Sequence, residues 1–178
     1  LFTGPPGVGK TAAVRALARA QLGAALALLR LNMAGHQGEG TAFIFQNDPS
    51  VLTFSMHCGV NFPGRKQQSD LDVPLPEGME DEAYLVELRS HLPALLNRLQ
   101  PDLVMYDAGA DVHKDDRLGK LALSDDGVLE RDRTVLQACK DGGYPVACVI
   151  GGGYGEDMDA LIYRHSYLHR AAKEIFTY

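Results

Sequence analysis

Several things are scarce in this sequence. Cysteine occurs three times, at Cys58, Cys139 and Cys148, too few and too scattered for a disulfide framework or a Cys-rich zinc finger. Positive charge is outnumbered: 17 Lys+Arg face 23 Asp+Glu, a formal net charge of −6. That balance argues against direct nucleic-acid binding, which needs clustered positive charge. The longest apolar stretch, Leu22–Leu29, is far shorter than the roughly 20 residues that span a bilayer, so no membrane partner is expected. No secretory signal stands before the Gly/Pro-rich opening, which points to an intracellular setting, cytoplasmic or nuclear. Methionine is missing from position 1, and the chain is therefore read as a piece of something longer. What is present describes a globular protein: 178 residues, 46% apolar and 22% charged, the size of one ordinary domain.

The order of elements suggests the fold. Lys10 to about Arg30 is rich in Ala, Leu and Arg and predicts a helix over at least its first half, while Leu26–Met33 reads either as that helix's end or as a buried strand. His36–Gly40 reads as a turn, Val51–Met56 as a strand, and Asn61–Pro76 as a long polar loop of the kind that carries function. Leucines at 85, 88, 92, 95, 96 and 99 give Glu80–Gln100 a helical period that Pro101 ends. Asp102–Asp107 and Val146–Ile150 are continuous apolar runs, as in strands buried on both faces; Gly127–Gly142 and Asp157–Ile175 read as helices. This alternation predicts an α/β fold, a three-layer parallel sheet with helices on both faces. Ligands of such folds bind beyond the carboxyl ends of the strands, which selects Ala108–Gly119 and Gly151–Gly155.

One local motif points elsewhere. Gly4-Pro5-Pro6-Gly7-Val8-Gly9-Lys10-Thr11 fits GxxxxGK[ST], in which backbone N–H groups cradle phosphates, Lys10 reaches the terminal phosphates and Thr11 ligates magnesium. Leu1–Leu22 resembles the opening of an AAA-type ATPase domain. The alternative reading is thus a nucleotide-binding protein using Gly4, Gly9, Lys10 and Thr11 with ATP and magnesium. Its companions are missing, however: no strand precedes the loop, and no magnesium-orienting acid, arginine finger or lid is recognisable.

Downstream, the motifs are His36-Gln37-Gly38-Glu39-Gly40-Thr41, Phe54-Ser55-Met56-His57, Phe62-Pro63 with Arg65 through Leu75, Tyr106-Asp107-Ala108-Gly109-Ala110-Asp111, Asp116-Arg117-Leu118-Gly119, and Ile150-Gly151-Gly152-Gly153-Tyr154. In this order and spacing, His36 to about Ala172 resembles the histone deacetylase family of the arginase/deacetylase fold, nearest the class IV-like and bacterial members. The resemblance implies zinc-dependent hydrolysis of N-acyl-lysine, with partners such as histone tails. It implies His36 and Asp111 as zinc ligands and Tyr154 as the catalytic donor to the scissile carbonyl. It further implies Phe62, Gly152 and Gly153 along the substrate tunnel, and Ser55 and His57 at a structural monovalent-cation site for potassium. The chemistry is coherent, since amide hydrolysis on zinc needs few ligands, an open position for water, a base and an oxyanion donor.

The resemblance also has departures. The family's zinc segment Asp-Leu-Asp-Val-His aligns with Asn32-Met33-Ala34-Gly35-His36. Ala34, which has no donor atom, stands where a ligand carboxylate belongs, and Asn32 replaces the other aspartate. The tandem histidines that serve as base and partner have no counterpart upstream. His91, His165 and His169 fall on predicted helices, on faces expected to be solvated. The expectation is a weakened zinc site and impaired catalysis. It divides the chain into 1–31, a P-loop-like segment with an Ala/Leu-rich helix, and 32–178, the C-terminal part of a deacetylase domain truncated on its N-terminal side.

Overall fold

The computed structural model describes residues 27–177. The phosphate-loop residues and most of the Lys10–Arg30 helix expectation lie outside them. Leu28–Asn32 form β1, every residue buried, which settles the Leu26–Met33 ambiguity as strand. Next come α1 (Glu39–Phe45), β2 (Val51–Cys58), β3 (Leu71–Leu75), α2 (Asp81–Leu99), β4 (Leu103–Gly109), α3 (Asp125–Gly142), β5 (Val146–Gly151) and α4 (Met158–Phe176). The division expected between 31 and 32 falls inside β1.

The five strands form one parallel sheet in the order β3-β2-β1-β4-β5. Strand side chains alternate between its two faces. Leu29, Leu31, Phe54, Met56, Val104, Tyr106 and Ala108 point to one, where Leu88, Leu92 and Leu95 of α2, Val135 and Leu136 of α3, and Leu168 and Ala171 of α4 cover them. Each such leucine contributes about 1.5–3 kcal/mol by leaving water. On the other face Leu28, Val51 and Met105 pack against Phe45 of α1, so helices lie on both sides of the sheet as expected. Towards the carboxyl ends this second face turns polar, with Arg30, Asn32, Thr53, Ser55 and His57 all buried.

Helix ends follow local chemistry. Ser124 caps α3 by accepting the Gly127 N–H, Asp157 caps α4 by accepting that of Ala160, and α3 stops at Gly143 in the left-handed region. Two expectations are corrected. The predicted Asn61–Pro76 loop contains β3, whose Pro74 is tolerated because β3 is the sheet's edge among the described residues. The Gly-rich turn at His36–Gly40 leads directly into α1, a helix too short to show a period in the sequence.

Candidate functional site

The site forms where β1, β4 and β5 end side by side. Asp107 of β4 pairs in register with Asn32 of β1, and Gly109 with Gly151 of β5, so the loops that follow emerge together. His36 Nδ1 lies 2.6 Å from Asp111 Oδ2. The other oxygen, Oδ1, accepts the Gly35 N–H at 3.0 Å. The hydrogen bond to Asp111 raises the His36 pKa above its ordinary 6.5, against the opposing effect of burial. Gly152, at φ +60°, presses its backbone against the same carboxylate; a methyl group there would sit 2.3 Å from Asp111 Oδ1. Only glycine serves at that position.

The motif residues Gln37 and Asp116, together with Arg131, Asp132 and Asn61, which no motif contains, hold these loops. Arg131 of α3, fully buried, donates from Nη1 to the carbonyls of Met33 (3.0 Å) and Gly109 (2.7 Å), joining the ends of β1 and β4. Its charge is met by Asp132, which also accepts the Tyr106 O–H. Asp116 accepts the N–H groups of Leu118 and Gly119 on Oδ1 and that of Tyr154 on Oδ2 at 2.6 Å. The Arg117 N–H donates to the Tyr154 carbonyl, so the backbone of Tyr154 is held on both sides. Asn61 donates to the carbonyls of Gly35 and Leu118 while accepting the Phe62 N–H. Gln37 donates to the Gln67 carbonyl and to Asp72 and accepts the Gln67 N–H, and its own N–H donates to the Phe62 carbonyl. Of those outside the motifs, Arg131 and Asp132 left a signal, a charged pair interrupting the apolar stripe of α3.

The side chains of Tyr154 and Phe62 are exposed. Tyr154 borders a cavity of about 250 Å³ with Arg117, Leu118, Gly153, Gly155 and Leu161. Neither His36 nor Asp111 lines it. Ala34 is fully buried against Gly109, where a methyl group would meet its Cβ at 2.5 Å.

His36 and Asp111 are two donors, and a zinc centre of this type takes three from the protein. Among the described residues no group of three His, Cys, Asp or Glu side chains could hold a metal ion. The residues present therefore do not fit a complete zinc site. In the potassium segment Ser55 Oγ and His57 Nδ1 lie 3.0 Å apart, and Asn32 Nδ2 donates to Ser55 Oγ and to the His36 carbonyl, each at 3.0 Å. His165 corrects the expectation of a solvated face, since its Nδ1 is buried without a partner and its ring lies behind Gly153.

Burial lowers the pKa of His57, His113 and His165, while His36 is raised. Each lowered histidine supplies stability that is complete above its unfolded value near 6.5 and is lost as pH falls through the folded value. The His36 contribution is complete below 6.5 and is lost as pH rises through its raised value. The three lowered histidines oppose His36 in sign, and the fold should lose stability between pH 7 and pH 5 as they are forced to take up protons. Urea midpoints at the two pH values measure this. His113→Asn, which retains an acceptor for the Asp115 N–H that His113 Nδ1 now takes, should flatten the dependence.

A parallel α/β sheet whose strand ends carry a histidine–aspartate pair beside a glycine-rich turn is the architecture of the arginase/deacetylase fold. The crystal structure of the HDA15 HD domain superposes with a TM-score of 0.69 at 26% identity, covering 92% of this chain and 49% of that one. Residues 16–169 match the histone deacetylase domain profile, and the chain belongs to the histone deacetylase family. An uncharacterized protein of Picosynechococcus sp. is 58% identical over 156 residues, 88% of this chain and 52% of the relative. A probable deacetylase of Archaeoglobus fulgidus is 32% identical over 135 residues, 70% of this chain and 38% of the relative. The chain thus spans about half the length, or less, of these proteins. The family match begins well upstream of His36 and takes in β1, and it lends no support to a phosphate-binding reading of Gly4–Thr11. No helix among the described residues is long and apolar enough to cross a membrane.

Proposed function

We propose that the chain is a member of the zinc-dependent acyl-lysine deacetylases whose own hydrolysis is impaired. The observation that carries this reading is the His36–Asp111 pair at the strand ends, with Ala34 in place of a third donor. Zinc, when bound, supplies a Lewis acid and an activated water to this chemistry. His36 and Asp111 would hold it alone, and losing a ligand weakens binding by more than the roughly 10–100-fold that a lost supporting residue costs. Tyr154 would offer its phenol to the scissile carbonyl, its backbone fixed by Asp116 and Arg117. Phe62, Gly152 and Gly153 would flank the acyl-lysine chain of a protein or peptide substrate such as a histone tail. The sequence holds no tandem histidine, so within this chain no general base of that kind would assist proton transfer.

The test is a zinc titration with a fluorogenic acetyl-lysine peptide. Weak zinc binding and turnover near background are expected. Stoichiometric tight zinc with robust turnover would refute the impairment.

A further inference from the structure

The strongest departure from the family concerns the monovalent cation. Such a site needs converging oxygens and, when buried, negative charge nearby, because a bare cation taken out of water without compensation is costly. Here the oxygens that converge near Asn32 are the His36 carbonyl and Ser55 Oγ, and one atom, Asn32 Nδ2, lies 3.0 Å from each. A carbonyl only accepts, so the atom facing His36 must be the amide nitrogen. Its two protons match the two oxygens. Ser55 Oγ, having accepted one, has its own proton free to pass to His57 Nδ1, 3.0 Å away, and the result is a directional chain from Asn32 through Ser55 to His57.

The amide is fixed where it stands. Asn32 is buried, and Gly38 packs so closely that a methyl group on it would lie 3.2 Å from Asn32 Cγ. Its remaining atom, Oδ1, is buried and without a partner. The carboxylate in register with Asn32 on the neighbouring strand, Asp107, spends its Oδ2 on Arg30 at 2.9 Å, while its Oδ1 is buried without a partner. We infer that the Asn32 side-chain amide takes the place of the family's monovalent cation, linking the turn before α1 to β2 with hydrogen bonds, so that this chain folds independently of potassium. The inference does not depend on whether hydrolysis survives, because it concerns the fold and not turnover.

The experiment is thermal unfolding of the chain with potassium chloride raised to about 150 mM, choline chloride holding the ionic strength constant. Bound thallium(I), a potassium mimic, is followed in parallel by thallium NMR. The expected result is a flat Tm and no bound thallium. A saturable rise in Tm, or a bound thallium signal, would overturn the inference. Asn32→Asp restores a negative oxygen donor and should acquire a potassium-dependent rise of several degrees. No such rise in a folded Asn32→Asp variant would overturn the role given to the amide. If that variant fails to fold, the measurements on the unaltered chain still decide.

Discussion

Arg131→Met should destabilise the fold by about 3–5 kcal/mol, the usual consequence of removing one partner of a buried ion pair. That is a large share of the roughly 5–15 kcal/mol that holds an ordinary domain together. Burial works against the guanidinium's charge, yet Asp132 beside it keeps its pKa above the usual arginine value, so the group is a cation at any pH the protein meets. Its loss leaves the Asp132 carboxylate buried beside the Tyr106 hydroxyl without its cation, and strips a donor from the Met33 and Gly109 carbonyls. Urea unfolding measures the effect. Arg131→Met combined with Asp132→Asn should recover much of it, because the uncompensated charge is gone. A single substitution costing under about 1 kcal/mol, the worth of an exposed pair, would show that water reaches this site.

The second large effect is a gain. Ala34→Asp restores a carboxylate beside His36 and Asp111, and zinc affinity should rise at least about 100-fold. Two costs accompany it: crowding against Gly109 and repulsion between carboxylates in the absence of metal. The metal-free variant should therefore melt below the unaltered chain, and zinc should raise its Tm well above. Chelator competition and thermal unfolding with and without zinc check both signs. Unchanged zinc affinity in a folded variant would mean that position 34 does not face the His36–Asp111 pair.

How much of this could be read from the sequence depended on the range of each interaction. Leu103–Gly109 was legible as a mostly apolar run between two neighbouring strands. Val146–Gly151, read as buried on both faces in the same way, is only half-buried with Ile150 exposed, because β5 is an edge of the sheet among the described residues. α2 was legible from its leucine spacing and from Pro101 just past its end, and α3 as the helical run Gly127–Gly142. β3 was hidden because Leu71-Asp72-Val73-Pro74-Leu75 carries a proline, allowed only at an edge, and a carboxylate that breaks the apolar run. His36 and Asp111 were found through motifs. The contacts that hold their loops were not: Arg131, outside every motif, reaches 98 positions back to Met33, and Gln37, though it stands in a motif, reaches 30 forward to Gln67. No local pattern encodes a partner that far along the chain.

The Gln37 contacts bear on how this protein could be redesigned. One side chain clasps the main chain of Gln67 from both its donor and its acceptor ends and also binds Asp72, while the Gln37 backbone takes hold of Phe62. The turn at His36 and the segment from Phe62 to Asp72 are therefore one transplantable cassette and not two. Grafting the Phe62–Asp72 segment of a relative without its partner at position 37 would leave that segment unanchored, whereas moving both together carries the fastening with them.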